Sequence, residues 1–184
     1  MNRLASPAQL RASYVRWALA LAPLIVLLGL ASGVLGGSTA QSPWFEALRK
    51  PAIFPPPALF GIVWTVLYAM MGFALAVVCN AGGARWRGPA VLAFVIQLAV
   101  NLAWSPVFFG QHQITLALGI ILVMDALVIL TTVFFWKVRR VAAWLLLPYL
   151  AWILFATVLN WAFLDLNRDL DGVRMSSAVE RFEL

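Results

Sequence analysis

Read only for apolar and polar positions, the chain is a series of long hydrophobic runs cut by short polar breaks. A helix that crosses a bilayer needs about 20 apolar residues. Five runs are long enough: from about Trp17 to Gly37, Ala58 to Asn80, Gly88 to Phe109, Gln113 to Trp136 and Val141 to Leu164. The breaks "GGARWRG", "FGQHQ" and "KVRR" separate the last four, so each of these runs must turn back on the one before it. The pattern predicts an all-α membrane protein, a bundle of five transmembrane helices with a long proline-rich first loop. That loop runs from Ser38 to Pro57, "STAQSPWFEALRKPAIFPPP", and "WFEAL" within it is expected to form a short turn of helix. Pro55 to Pro57 fix the backbone and bar helix on their amino side. Such a stiff loop is either a connector or a lid over one end of the bundle, and the pattern leaves both open.

Three regions follow: a polar amino-terminal segment (1–16), a five-helix membrane domain (17–167) and a polar carboxyl-terminal tail (168–184), expected to be a frayed helix end followed by disorder. The first run also has features of a signal peptide, with Arg3, Arg11 and Arg16 ahead of it and "STA" behind it. Its length exceeds the 7–15 residues usual for a signal core, so a retained helix is expected.

Composition sharpens this picture. Hydrophobic residues make up 64% of the 184 and charged residues 11%, with mean hydropathy +0.93; a soluble domain carries about 25% charged residues. A single cysteine, Cys79, excludes an internal disulfide and argues against a thiolate metal site. A single histidine, His112, rules out a multi-histidine metal or haem centre, so no resident metal or cofactor is expected. The net charge of +6 reads as loop charge that sets orientation, not as a nucleic-acid footprint. If all five runs span, one side holds Arg3, Arg11, Arg16, Arg85, Arg87, Lys137, Arg139 and Arg140. The other holds Arg49, Lys50, Arg168, Arg174 and Arg181. The excess of basic residues places the amino end in the cytoplasm.

Polar groups inside the spans carry the candidate chemistry. In the third run, "QLAVNLAWSPVFFG", Gln97, Asn101, Trp104 and Phe108 fall at intervals of 4, 3 and 4, one face of a helix. Side-chain amides are costly in hydrocarbon unless hydrogen-bonded, so this face should point into the bundle. The second run offers Trp64 and Tyr68, and the fifth offers Tyr149, Trp152, Ala156 and Asn160. Two readings fit: a packed aromatic core glued by amides, or a pocket for a flat apolar ligand with polar edges. Asp125, inside the fourth run, is a functional candidate by default, with a proton-coupled role one reading and a hydrogen bond to a neighbour the other. Gly29, Gly33 and Gly37 form overlapping G-x-x-x-G motifs that permit close packing, within the bundle or between two copies. No Ser/His/Asp set, paired carboxylates or phosphate loop is present, and no catalytic residue is assigned.

Several motifs in order, "WFEALRKP" with its prolines, "VWTVLY", "QLAVNLAWSPVFFG", "TTVFFWKV" and "LLLPYLAWILFATVLN", resemble the translocator protein family, also called TspO, tryptophan-rich sensory protein or peripheral benzodiazepine receptor. The resemblance covers about Trp44 to Asn167. It implies a five-helix bundle, often a homodimer, with a ligand pocket beneath the first loop. It implies binding of porphyrins such as protoporphyrin IX and of synthetic drugs, and a link to tetrapyrrole regulation. Carried over residue by residue, the pocket positions match Trp44, Trp64, Tyr68, Asn101, Trp104, Trp152 and Ala156, which joins Gln97 and Phe108 to them on the face already found. Sterol binding, known in many relatives, is doubtful here. The pattern that recognises it needs a central Tyr where this chain has Trp161, and the formal match "LRASYVR" at Leu10 to Arg16 is weak. The expected function is a membrane receptor, sensor or carrier for porphyrin-like ligands. The rival expectation is an enzyme that degrades porphyrin in light through pocket tryptophans.

Overall fold

The computed structural model describes residues 6–37 and 42–173. Their regular structure is entirely helical. Five helices are long and apolar enough to span a membrane: α1 (Pro7–Leu35), α3 (Pro57–Cys79), α4 (Arg87–Ser105, extended to Gly110 by a wider turn), α5 (Ile114–Val138) and α6 (Arg140–Leu166). A short helix, α2 (Pro43–Ala47), lies in the first loop, as "WFEAL" suggested. The chain is an integral, multi-pass membrane protein.

Two boundaries differ from expectation. The first helix starts at Pro7, ten residues before Trp17, because Ser6 and Gln9 form a reciprocal capping box and Pro7 occupies the first helical position. The segment after Leu166 is not simply frayed: Arg168–Leu170 forms one tight turn, and residues through Val173 fold back against the bundle. The tail expected to be disordered lies, from residue 174 onward, outside the described residues, as does the "STA" stretch.

Helix α1 packs chiefly on α3, α4 on α5, and α6 on both α5 and α3. Two glycines allow the α1–α3 approach. A Cβ on Gly72 would fall 2.4 Å from the Ala22 Cα, and one on Gly29 would fall 2.1 Å from the Tyr68 ring. Gly29 of the G-x-x-x-G series thus packs inside the bundle. Gly37 adopts φ +68°, and a Cβ there would meet nothing within 4 Å among the described residues. Met71, Phe94, Phe135, Leu146 and Ile153 fill the interior. Residues such as Leu19, Ile62 and Trp161 stay exposed on the outer surface, where acyl chains would meet them.

Helix α4 is interrupted near its end. Pro106 has no N–H, so the carbonyl of Leu102 loses its usual partner one turn on. The Ser32 hydroxyl of α1 donates to that carbonyl at 2.6 Å. The following turn widens: Gln111 N–H reaches back five residues to Pro106 O at 2.9 Å. Gly36 at the end of α1 sits so close that a Cβ there would lie 2.8 Å from Pro106 N.

Candidate functional site

The half of the bundle next to the first loop contains a cavity of about 570 Å³, within the roughly 300–1,000 Å³ typical of small-molecule sites. Helix α1 contributes Gly29 to Val34 apart from Ala31, and α3 contributes Pro57, Phe60, Gly61, Trp64 and Tyr68 among others. Asn101, Trp104, Phe108 and Phe109 come from α4 and its wide turn. Ile121 and Met124 of α5, and Ala156, Leu159, Asn160 and Phe163 of α6, complete the wall, with Phe45 and Phe54 from the first loop. None of these residues is charged.

Polar groups form a connected floor. Tyr68 donates its hydroxyl proton to Asn101 Oδ1 at 2.8 Å. Asn101 Nδ2 donates to the Tyr149 hydroxyl at 3.0 Å and approaches Met124 Sδ at 3.3 Å. Tyr149 in turn donates to Gln97 Oε1 at 3.0 Å. A second pair runs along the wall: Trp104 Nε1 donates to Asn160 Oδ1 at 3.1 Å, and Asn160 Nδ2 to Ile114 O at 3.1 Å. These bonds satisfy the Asn101 and Asn160 amides within the bilayer span and hold two aromatic plates. Trp64 stacks on Tyr68, with centroids 5.2 Å apart, and Trp104 stacks on Phe108 at 4.9 Å. Flat apolar surface with acceptor oxygens at its base suits a planar ligand.

The residues singled out by sequence do not all reach the cavity. Trp64, Tyr68, Asn101, Trp104, Phe108 and Ala156 line it. Gln97 lies one turn deeper, fully buried, with Nε2 lacking a hydrogen-bond partner among the described residues. Trp152 does not line the cavity; its ring meets that of Phe60 edge-on at 5.8 Å, and its Nε1 is also buried with no hydrogen-bond partner among the described residues. Trp44 supports the roof. It is 1% exposed, stacks on His112 at 4.5 Å, meets Phe108 edge-on, and donates Nε1–H to Leu170 O at 3.1 Å.

The roof is pinned from the carboxyl end. Asn167 accepts from Arg49 N–H at 2.7 Å and donates to Arg49 O at 3.0 Å. Asp171 caps α5, accepting from Ile114 N–H at 2.6 Å and from the Thr115 hydroxyl. Lys50 donates to the carbonyls of Phe45 and Leu48, with its ammonium 4.0 Å from the Phe45 ring centre. Partial burial lowers the Lys50 pKa, and the Glu46 charge partly offsets this.

Sequence reasoning missed Ser32, Phe45, Phe54, Phe60 and Met124. For Phe54 and Phe60 a signal existed: they bracket the prolines in "FPPPALF" and stack on each other at 5.5 Å. Met124 and Ser32 carry no distinguishing mark in an apolar run. Asp125 is buried between α5 and α6, where its Oδ2 accepts from Thr157 at 2.8 Å, and it does not line the cavity. Trp161, which stands in for the sterol-pattern tyrosine, is exposed on the outer surface.

A sequence model of the TspO/MBR family matches residues 20–165. The chain belongs to the TspO/MBR family. It is 39% identical over 151 residues to the tryptophan-rich protein TspO of Chlorobaculum tepidum, an alignment covering 78% of this chain and 94% of that one. It is 40% identical over 133 residues to the human translocator protein, covering 71% and 79% of the two chains. The tryptophan-rich sensory protein of Cereibacter sphaeroides is 35% identical over 137 residues, covering 74% and 85%. Membership accounts for the five-helix bundle. All of the cavity-lining residues fall within the matched range.

Proposed function

We propose that this chain is a membrane receptor or carrier for flat hydrophobic ligands, with porphyrins such as protoporphyrin IX foremost, and that it serves tetrapyrrole regulation. The observation that carries this reading is the cavity itself: two stacked aromatic plates over a hydrogen-bonded Tyr68–Asn101 floor. A packed core would fill that space with side chains. The Tyr68 oxygen gives its proton to Asn101 and keeps lone pairs that can accept a ligand N–H. With no charged group in the wall among the described residues, the carboxylates of a porphyrin must stay at the rim, because burying them unpaired is costly. The names of relatives that describe sensing and translocation support the same class of role.

Titration of purified protein with protoporphyrin IX, followed by tryptophan quenching, tests this. Empty micelles and inner-filter controls run beside it. Saturable one-site binding is expected. Trp64→Phe should weaken it by about 3- to 10-fold, the loss of one good aromatic contact. Asn101→Ala should weaken it by about 10-fold or more. Trp152→Phe should matter least of the three, since Trp152 does not line the cavity. Unchanged affinity in folded Trp64→Phe and Asn101→Ala variants would remove the site.

A further inference from the structure

The cavity is closed unevenly. On the loop side it is roofed by aromatic contacts: Phe45 against Phe109 at 5.3 Å, and Phe54 against Phe60 and Phe163 at 5.5 Å each. Behind them Trp44 and Leu48 are almost wholly buried. Between α1 and α3 the closure is different. The two helices touch tightly at Ala22–Gly72 and again at Gly29–Tyr68. Beyond that point the end of α1 leans the other way, with Gly36 pressed on the Ser105–Pro106 backbone and Ser32 bonded to Leu102 O.

A wedge is left between the last two turns of α1 and the first turns of α3. Val34 and Leu30 line the cavity and yet are 74% and 46% exposed. Gly61 also lines it and is exposed, and a Cβ there would meet nothing within 4 Å among the described residues. Residues that face the cavity and the outside at once mark an opening. These positions belong to helices long and apolar enough to span, and the exposed Leu30 and Val34 side chains suit contact with acyl chains outside. Among the described residues the rim carries no charge, and glycine makes its sill flat.

We propose that the cavity opens sideways into the bilayer between α1 and α3, and that a membrane-dissolved planar ligand is admitted edge-on past Gly61 rather than beneath the first loop. The admission step rests on the flat-ligand reading above; the opening itself does not. It predicts that uptake follows the ligand concentration in the bilayer.

Two measurements in lipid nanodiscs test it. The first is the association rate of protoporphyrin IX by stopped-flow quenching. Gly61→Phe should slow association by about tenfold or more, while Asn167→Ala, which frees the roof, should not speed it. The second uses no porphyrin. A bimane label on Ala156→Cys, in a Cys79→Ser background, is exposed to nitroxide-labelled acyl chains. Quenching is expected, and it should fall when Gly61→Phe is added. If quenching is absent, or Gly61→Phe leaves it unchanged, the opening does not exist. If association is faster in Asn167→Ala and unaffected by Gly61→Phe, ligand passes under the loop and the proposed route fails while the function stands. If no porphyrin binds but quenching still depends on Gly61, the lateral opening stands and the tetrapyrrole reading falls.

Discussion

The amide of Asn101 accepts from Tyr68 and donates to Tyr149, so it ties α4 to both α3 and α6. Asn101→Leu would strand the buried Tyr68 hydroxyl, whereas Tyr149 would keep Gln97 as its acceptor. A cost of about 1–3 kcal/mol is expected, read as a lower unfolding midpoint in detergent. Gly72→Ala should cost about 1–3 kcal/mol, because the new methyl meets Ala22 backbone that cannot rotate away. Gly61→Ala should be nearly neutral in the same melt, since its methyl meets open space. At this scale the sequence was partly legible. Helical spacing put Gln97, Asn101, Trp104 and Phe108 on one face, and three of the four line the cavity. Spacing gives direction around a helix but not the depth at which a cavity stops, so Gln97 fell below the floor. Trp152 shows a related gap: nothing in its own helix reveals that it meets Phe60 of another helix edge-on and that Phe60, not Trp152, lines the cavity.

Elements were legible wherever hydrophobic length decided them. All five spans follow from runs that water would reject. The early start of α1 was also written in the chain, as Ser6–Pro7 with Gln9 three positions after the cap, a signal outweighed by the polar residues around it. The wide turn at Pro106 was not legible in full. Proline announces a missing N–H, but which group rescues the freed carbonyl depends on Ser32 of α1, 70 residues away. This gives a coupling prediction. Ser32→Ala should cost about 0.5–1.5 kcal/mol in the parent protein. In a Pro106→Ala background, where a restored N–H can serve Leu102 O, the same substitution should cost close to nothing. A double-mutant cycle on thermal stability measures the difference, and additive effects would show that the two residues act independently.

For the whole molecule, basic residues set the expected orientation. We propose that the amino end and the loops holding Arg85, Arg87 and Lys137 face the cytoplasm. In a Cys79→Ser background, Gln111→Cys should then react with an impermeant maleimide on intact cells. Gly82→Cys should react only after permeabilisation. The reverse labelling would invert the topology and place the cavity, which lies at the first-loop end, on the cytoplasmic side. Long-range closure was the least legible feature of all. The roof depends on Asn167, Leu170 and Asp171, polar or unremarkable residues past the last span, whose value comes only from where α6 delivers them.

That arrangement makes Val173 a poor place to cut the chain and attach a handle. A purification tag or fluorescent fusion joined close behind Val173 would tug on the same few residues that cap α5 and grip the Trp44 indole. A ligand affinity measured on such a fusion would then report partly on the tag. An amino-terminal tag, ahead of the Ser6 cap and at the opposite end of the bundle, leaves that closure untouched.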